Sequence, residues 1–282
     1  MAEENLRKKM RTSGMDATVS TLALTDLGDA MSLAVDPSDG CTLFVCTHFA
    51  IMTVSPTGVI SLLAGGKQGF EDGQGRKARF NIPRGLAVDK DANLLVADCN
   101  NHAIRKVTRT GMVTTVAGNG QAGFADGLGV AARFSHPFGV SMDKHGWLLV
   151  ADFNNNTIRK VSPAGAVTTV AGNGESGFAD GEGSSARFNA PFGITVDKDG
   201  LIYVTDSHNN AIRKIVPGTQ HREALVSTLA GNGTAGFADG IGGAARFQRP
   251  AGIVVDASTT LFVADSQNHR IRKLACGAVG VR

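Results

Sequence analysis

The stretch PFGITVDKDGLIYVTDSHNNAIRKI, residues 191–215, decides the fold. Three short β-rich runs, GITVD, LIYVTD and AIRKI, are divided by DKDG and HNN, and a fourth, VSTLA, follows a loop at 226–230. Gly, Asn and Asp in the breaks supply turn conformations that branched residues resist, so the pattern predicts a four-stranded antiparallel meander. In sister copies the runs GIVVD and LLVAD are apolar at successive positions rather than alternating, so both faces of the inner strands need cover.

That cover comes from repetition. The unit recurs through the chain, and the arginine of its ARF triplet falls at Arg79, Arg133, Arg187 and Arg246, in steps of 54, 54 and 59 residues. The last step is lengthened by the insertion PGTQHREAL. A fifth, degenerate copy lies upstream, SLAVDPSDGCTLFVCTHFAIMTVSPTGVISLLAG; it lacks the ARF loop and carries Thr47 where the others carry aspartate. Radial stacking of four-stranded sheets covers both faces of each, which predicts an all-β fold, the β-propeller. Five copies predict five blades; the alternative is a six-bladed ring with one blade absent from the sequence. The final copy stops after three strands at IRKLACGAVGVR, while VSTLA occurs a second time at Val19–Ala23. Residues 19–24 are therefore expected to complete the last blade, closing the ring and removing an open sheet edge. Residues 1–16 read as a charged N-terminal tail and 17–282 as a single propeller.

Composition bounds the function. With 28 Lys and Arg against 25 Asp and Glu, the net charge of +3 argues against a strongly basic nucleic-acid binder, and 36 Gly with 14 Phe suit a turn-rich globular domain. Cys41, Cys46, Cys99 and Cys276 form no C-x-x-C pair or metal spacing, so they are expected to be reduced thiols. The N-terminus MAEENLRKKMRTSG is charged where a signal peptide needs an apolar core, and no run of about 18 apolar residues occurs. An intracellular, cytoplasmic protein without membrane contact is expected, monomeric alone or part of a larger assembly.

Residues 191–215 resemble the NHL repeat, whose pattern runs P-x-G-I-x-V-D, G-x-I-Y-V-A-D, then N-H-x-I followed by basic or polar residues. The resemblance spans about residues 29–275, specific in four copies and weak in the first. The FADG-x-G-x-x-ARF linkers are similar to those of NHL modules fused to thioredoxin-like domains. The resemblance implies a binding platform for protein or RNA, commonly of six blades.

Several motifs invite a chemical reading. GNGQAG at 118–123, GNGESG at 172–177 and GNGTAG at 231–236 match G-x-G-x-x-G, yet FADG follows each where nucleotide binding needs a helix, so glycine is expected to serve a compact linker and no cofactor is assigned. Asp98, Asp152, Asp206 and Asp265 end strands, with Asn101, Asn155, Asn209 and Asn268 three residues on, and these are expected to build the hairpin turns. His102, Asn156, Asn210 and His269 occupy equivalent hairpin positions. They share a face with Arg79, Arg133, Arg187 and Arg246, and the eight are the candidates for a partner face. Asp72, Asp126, Asp180 and Asp239, seven residues before the ARF arginines, are expected to pair with them. Phe80, Phe134, Phe188 and Phe247, with Phe70, Phe124, Phe178 and Phe237, read as wedges between blades. Lys106, Lys160, Lys214 and Lys273 of the I-R-K triplets read as solvated, their stems covering the blade.

Each of these polar residues recurs, as scaffolding does, and no catalytic or metal-ligating residue stands out as a departure from the repeat. A non-catalytic propeller presenting its linker and hairpin face to a protein partner is expected. RNA binding is one alternative, and a metal-dependent lyase or lactonase the other.

Overall fold

Ser32–Val35, Leu43–Cys46, Ala50–Val54 and Ile60–Gly65 form the first of five antiparallel sheets in the computed structural model, which describes residues 29–219 and 222–275. The second blade comprises Pro83–Val88, Leu94–Asp98, Ala103–Val107 and Met112–Ala117. The third comprises Pro137–Met142, Leu148–Asp152, Thr157–Val161 and Ala166–Ala171. The fourth comprises Pro191–Val196, Ile202–Asp206, Ala211–Val216 and Leu225–Ala230, and the fifth Pro250–Val255, Thr260–Asp265 and Arg270–Ala275. Strands follow sequence order from the axis outward, as meanders do, giving the expected five-bladed all-β propeller. The linkers before blades two, three and four add a two-residue strand, such as Gly181–Glu182 on Leu225–Ala230, to the outer edge. No α-helix occurs among the described residues, and none is long and apolar enough to cross a membrane.

Around the axis the inner strands nearly touch. A Cβ added at Gly85, Gly139 or Gly193 would lie 2.3, 2.4 or 2.4 Å from the carbonyl oxygen of Phe138, Phe192 or Ala251 in the next blade. Farther out, Leu95, Ala97 and Ile104 of blade two pack on Phe134, Val140 and Val150 of blade three, and Ala151, Ile158 and Phe188 repeat the arrangement one blade on. Burying each large side chain contributes about 1.5–3 kcal/mol. Phe80, Phe134, Phe188 and Phe247 are the expected buried wedges, but Phe70, Phe124, Phe178 and Phe237 stay partly exposed. The reason is position: the second set caps buried guanidinium groups from the solvent side.

The junction of blades five and one differs. Ile271 is 72% exposed where its counterparts Ile104, Ile158 and Ile212 are wholly buried, and Leu33 is 62% exposed where Leu86 is buried. The expected closing strand, residues 19–24, lies outside the described residues, as do residues 1–16 and Cys276. Cys46 and Cys99 are buried free thiols and Cys41 an exposed one; burial pushes Cys99 up to about 12.

Candidate binding face

Three of the molecule's arginines lie inside it. Arg105, Arg159 and Arg213, the middle residues of the I-R-K triplets, are fully buried. Arg159 Nη1 donates to Asp152 Oδ2 at 2.8 Å and to the Arg133 carbonyl at 3.0 Å; Nη2 donates to Asp126 Oδ1 at 2.7 Å and to the Ala125 carbonyl at 2.8 Å. Its guanidinium lies between the rings of Phe124 and Phe134, 5.0 and 5.2 Å from their centroids. Asp152 Oδ1 accepts from the Ser135 N–H at 2.8 Å, and Oδ2 also accepts from Asn155 Nδ2, which reaches on to the Gly123 carbonyl. One arginine thus ties hairpin, linker and strand together, and Arg105, Arg213 and Arg272 repeat the pattern. Burial raises the Asp98 and Asp152 carboxyls to about 6, against the pull of the arginine and amide donors. At Asp126 and Asp180 burial is outweighed by donors from arginine and threonine, and both sit below the usual carboxylate range.

Two expectations change here. Asp72, Asp126, Asp180 and Asp239 pair with these third-strand arginines and not with Arg79, Arg133, Arg187 and Arg246. The ARF residues enter the network through their backbone carbonyls, which turns their side chains outward, where Arg79 meets Glu71 and Arg187 meets Glu175 at 3.0 Å. Lys106 and Lys160 are partly paired too, with Asp89 and Asp143, and Lys160 lies over the Trp147 ring. The signal for the buried arginines was present in the sequence. Each follows its hairpin aspartate by seven residues, as Asp152 and Arg159 do, between apolar neighbours.

The hairpin candidates latch one blade to the next. His102, Asn156, Asn210 and His269 all adopt the left-handed conformation, which Asn and His tolerate better than most residues. His102 Nδ1 accepts from the His136 N–H at 3.1 Å, Asn156 Oδ1 from Ala190 at 2.9 Å and Asn210 Oδ1 from Arg249 at 3.0 Å. Those acceptors are engaged within the propeller and not offered to a partner. His269, in the last blade, is exposed and has no such bond among the described residues.

Burial lowers the pKa of His102 and His136. Their folded pKa lies below the unfolded one, so the unfolded state binds more protons and stability falls as pH drops through about 6.5. His102→Asn, which places the residue of blades three and four at this position, keeps an acceptor and removes the titration. Urea unfolding between pH 8 and 5 should show a shallower decline for this variant with little change at pH 8. An identical decline would assign the titration elsewhere.

The departure from symmetry lies beside these latches. At the P-x-G position the repeats carry Arg84, Phe138, Phe192 and Ala251, and at the first hairpin residue Cys99, Phe153, Ser207 and Ser266. Phe138 stacks on Phe153 with centroids 4.5 Å apart, Phe192 lies 4.7 Å from Phe138, and His208 sits edge-on to Phe153 at 5.9 Å. Arg84 lies over Phe138 at 5.3 Å, its Nη1 3.4 Å from Met31 Sδ, and no carboxylate pairs with it among the described residues. Phe138, Phe192, Arg84 and Met31 border an axial cavity of about 740 Å³. Sequence reading missed the cluster because its members belong to separate repeats; the available signal was that these positions vary while their neighbours recur. Among the described residues no group of three or more His, Cys, Asp or Glu is arranged to hold a metal.

The NHL repeat family matches residues 80–107, 188–215 and 247–274. The chain is 28% identical over 288 residues to the Arabidopsis thaliana protein SUPPRESSOR OF QUENCHING 1, chloroplastic, covering 76% of this chain and 27% of that protein. It is 29% identical over 325 residues to NHL repeat-containing protein 2 of Bos taurus, covering 80% and 43%. The chain thus spans less than half the length of either relative. Among solved structures, a Bacteroides thetaiotaomicron protein of unknown function superimposes with TM-score 0.66 at 21% identity, over 88% of this chain and 59% of that one. A virginiamycin B lyase from Staphylococcus aureus does so with TM-score 0.61 at 16% identity, over 94% and 73%. At these identities the likeness is one of fold.

Proposed function

We propose that this chain, three segments of which match the NHL repeat, is a non-catalytic binding propeller whose protein partner docks on the hairpin face, at the mouth of the axial channel. The observation that carries this reading is the cluster of Phe138, Phe153 and Phe192 with Arg84. The hairpin aspartates and the third-strand arginines are engaged inside the scaffold, whereas these four residues break the repeat at one place and leave ring surface and, among the described residues, a cation without a carboxylate partner beside the cavity. Aromatic side chains and arginine are the residues that most often anchor interfaces, each buried ring contributing a large apolar area. A partner segment with an apolar side chain and a neighbouring carboxylate fits this chemistry. The ARF arginines suit RNA less well, since Arg79 and Arg187 already face glutamates.

The test substitutes the repeat's own residues, Phe153→Ser as in blades four and five and Arg84→Ala as in blade five, so that the blade frame is kept. Proteins captured from native extract by the wild type should be lost by the double variant, and the purified partner should bind it at least tenfold more weakly. Equal binding by both would place docking elsewhere, and nuclease-sensitive capture would favour RNA.

A further inference from the structure

Blade five carries two arginines that blades two, three and four lack. Before the proline of P-x-G those blades hold Ile82, His136 and Ala190 where blade five has Arg249, and after the hairpin they hold Ala103, Thr157 and Ala211 where it has Arg270. Both side chains are exposed, as are Arg246 of the ARF triplet and His269. The linker and hairpin that carry them are tied together. The Gln267 N–H donates to the Gln248 carbonyl at 3.1 Å, the Gln248 and Gln267 side-chain amides meet at 3.3 Å, and Ser266 Oγ donates to the Arg249 carbonyl. Arg270 Nη1 donates to the Asn268 carbonyl at 3.0 Å.

Among the described residues none of these three arginines pairs with a carboxylate. Asp239 and Asp265 are held by the buried Arg272 at 2.7 and 2.9 Å, and Asp256 accepts from Ser258 and Thr260 in the turn at the other end of the inner strand. Blade five also has Ala238 and Thr234 where blades two and four have Glu71 and Glu175, so Arg246 lacks the surface partner that Arg79 and Arg187 have. The patch adjoins the aromatic cluster: burial and the charge of Arg249 lower the pKa of His208, whose ring lies edge-on to Phe153 at 5.9 Å. We propose that Arg246, Arg249 and Arg270, with His269, receive an acidic segment of the protein partner, a run of Asp or Glu. This rests on the docking reading above and adds the partner's charge to it. Guanidinium forks bind carboxylates through paired parallel hydrogen bonds. One exposed ion pair contributes little, so several carboxylates in a row are needed, and their charge acts chiefly on encounter and choice of partner. RNA fits less well, since its bases stack on open rings, and Phe237 has Arg270 and Arg272 over it at 4.4 and 4.8 Å.

The test titrates a fluorescein-labelled hexaglutamate peptide with the full chain at low salt, followed by anisotropy. Arg249→Ala with Arg270→Ala places alanine at both positions, as blade four has, and should weaken binding about tenfold with Tm kept. Arg79→Ala with Arg187→Ala removes the same net charge and should weaken it by less than about twofold. Equal losses would mean that only net charge is felt, and no binding by the wild type would mean that the patch takes no acidic segment; both overturn the proposal. The Phe153→Ser, Arg84→Ala variant should bind hexaglutamate as the wild type does. Binding lost there and kept without Arg249 and Arg270 would move the acidic segment to Arg84. The docking reading fails separately, when that variant still captures the partner. Displacement of the peptide by oligouridylate of equal charge, at lower concentration than unlabelled hexaglutamate needs, would assign the patch to RNA and overturn the proposal.

Discussion

Arg159→Met is expected to lower the unfolding free energy by about 3–5 kcal/mol, a fall in Tm of about 10 °C. The guanidinium makes four hydrogen bonds and sits wholly out of water, so its loss leaves the fully buried Asp152 with only Ser135 and Asn155 as donors and leaves the Arg133 and Ala125 carbonyls with only the backbone N–H groups of Ala125 and Arg133. The cost comes mainly from leaving a buried carboxylate uncompensated rather than from the intrinsic strength of the pair. Arg159→Lys should recover little, because an ammonium cannot span Asp152 and Asp126 at once. Asp152→Asn, which keeps the shape and one acceptor, should cost about 1–3 kcal/mol. Urea unfolding followed through Trp147, the one tryptophan and itself in blade three, measures all three. A loss below about 1 kcal/mol for Arg159→Met would show that the blade holds together by apolar packing alone.

Gly139→Ala is expected to cost about 2–3 kcal/mol, whereas Gly252→Ala, at the equivalent position of blade five, should change stability by less than about 0.5 kcal/mol. The added methyl at Gly139 would lie 2.4 Å from the Phe192 oxygen and 3.1 Å from Gly193 Cα, both backbone, so the inner strands of blades three and four must part. At Gly252 the nearest atom is Ala264 Cβ at 4.0 Å. Gly139 does not have positive φ, so the difference is steric and not conformational. Thermal melts of the two variants side by side decide it. A comparable loss at Gly252 would reveal an additional element against the inner strand of blade five.

The number of blades, the order of their strands and the placing of linkers and hairpins on one face were legible in the chain. They follow from local signals, such as the turn residues DKDG and HNN and the 54-residue spacing of the ARF arginines, which act within a single unit. The glycine-rich GNGQAG segment was also correctly read as linker, since no α-helix follows it. The pairing of charges was different. Asp126 is near Arg133 in sequence and meets Arg159, 33 residues away, because the pleat turns that arginine inward beneath Phe124 and the ARF backbone occupies the nearer space. His102 and Asn156 looked outward from their hairpins until the next linker arrived to donate to them.

What the sequence by itself determined was the repeating unit, because strand and turn propensities are properties of neighbouring residues. Which arginines are buried, which polar groups are engaged between blades, and how Phe138, Phe153 and Phe192 meet at one mouth were decided only by tertiary structure. Those outcomes depend on the rotation between successive blades, which brings residues tens of positions apart into contact and is set by packing across the whole ring.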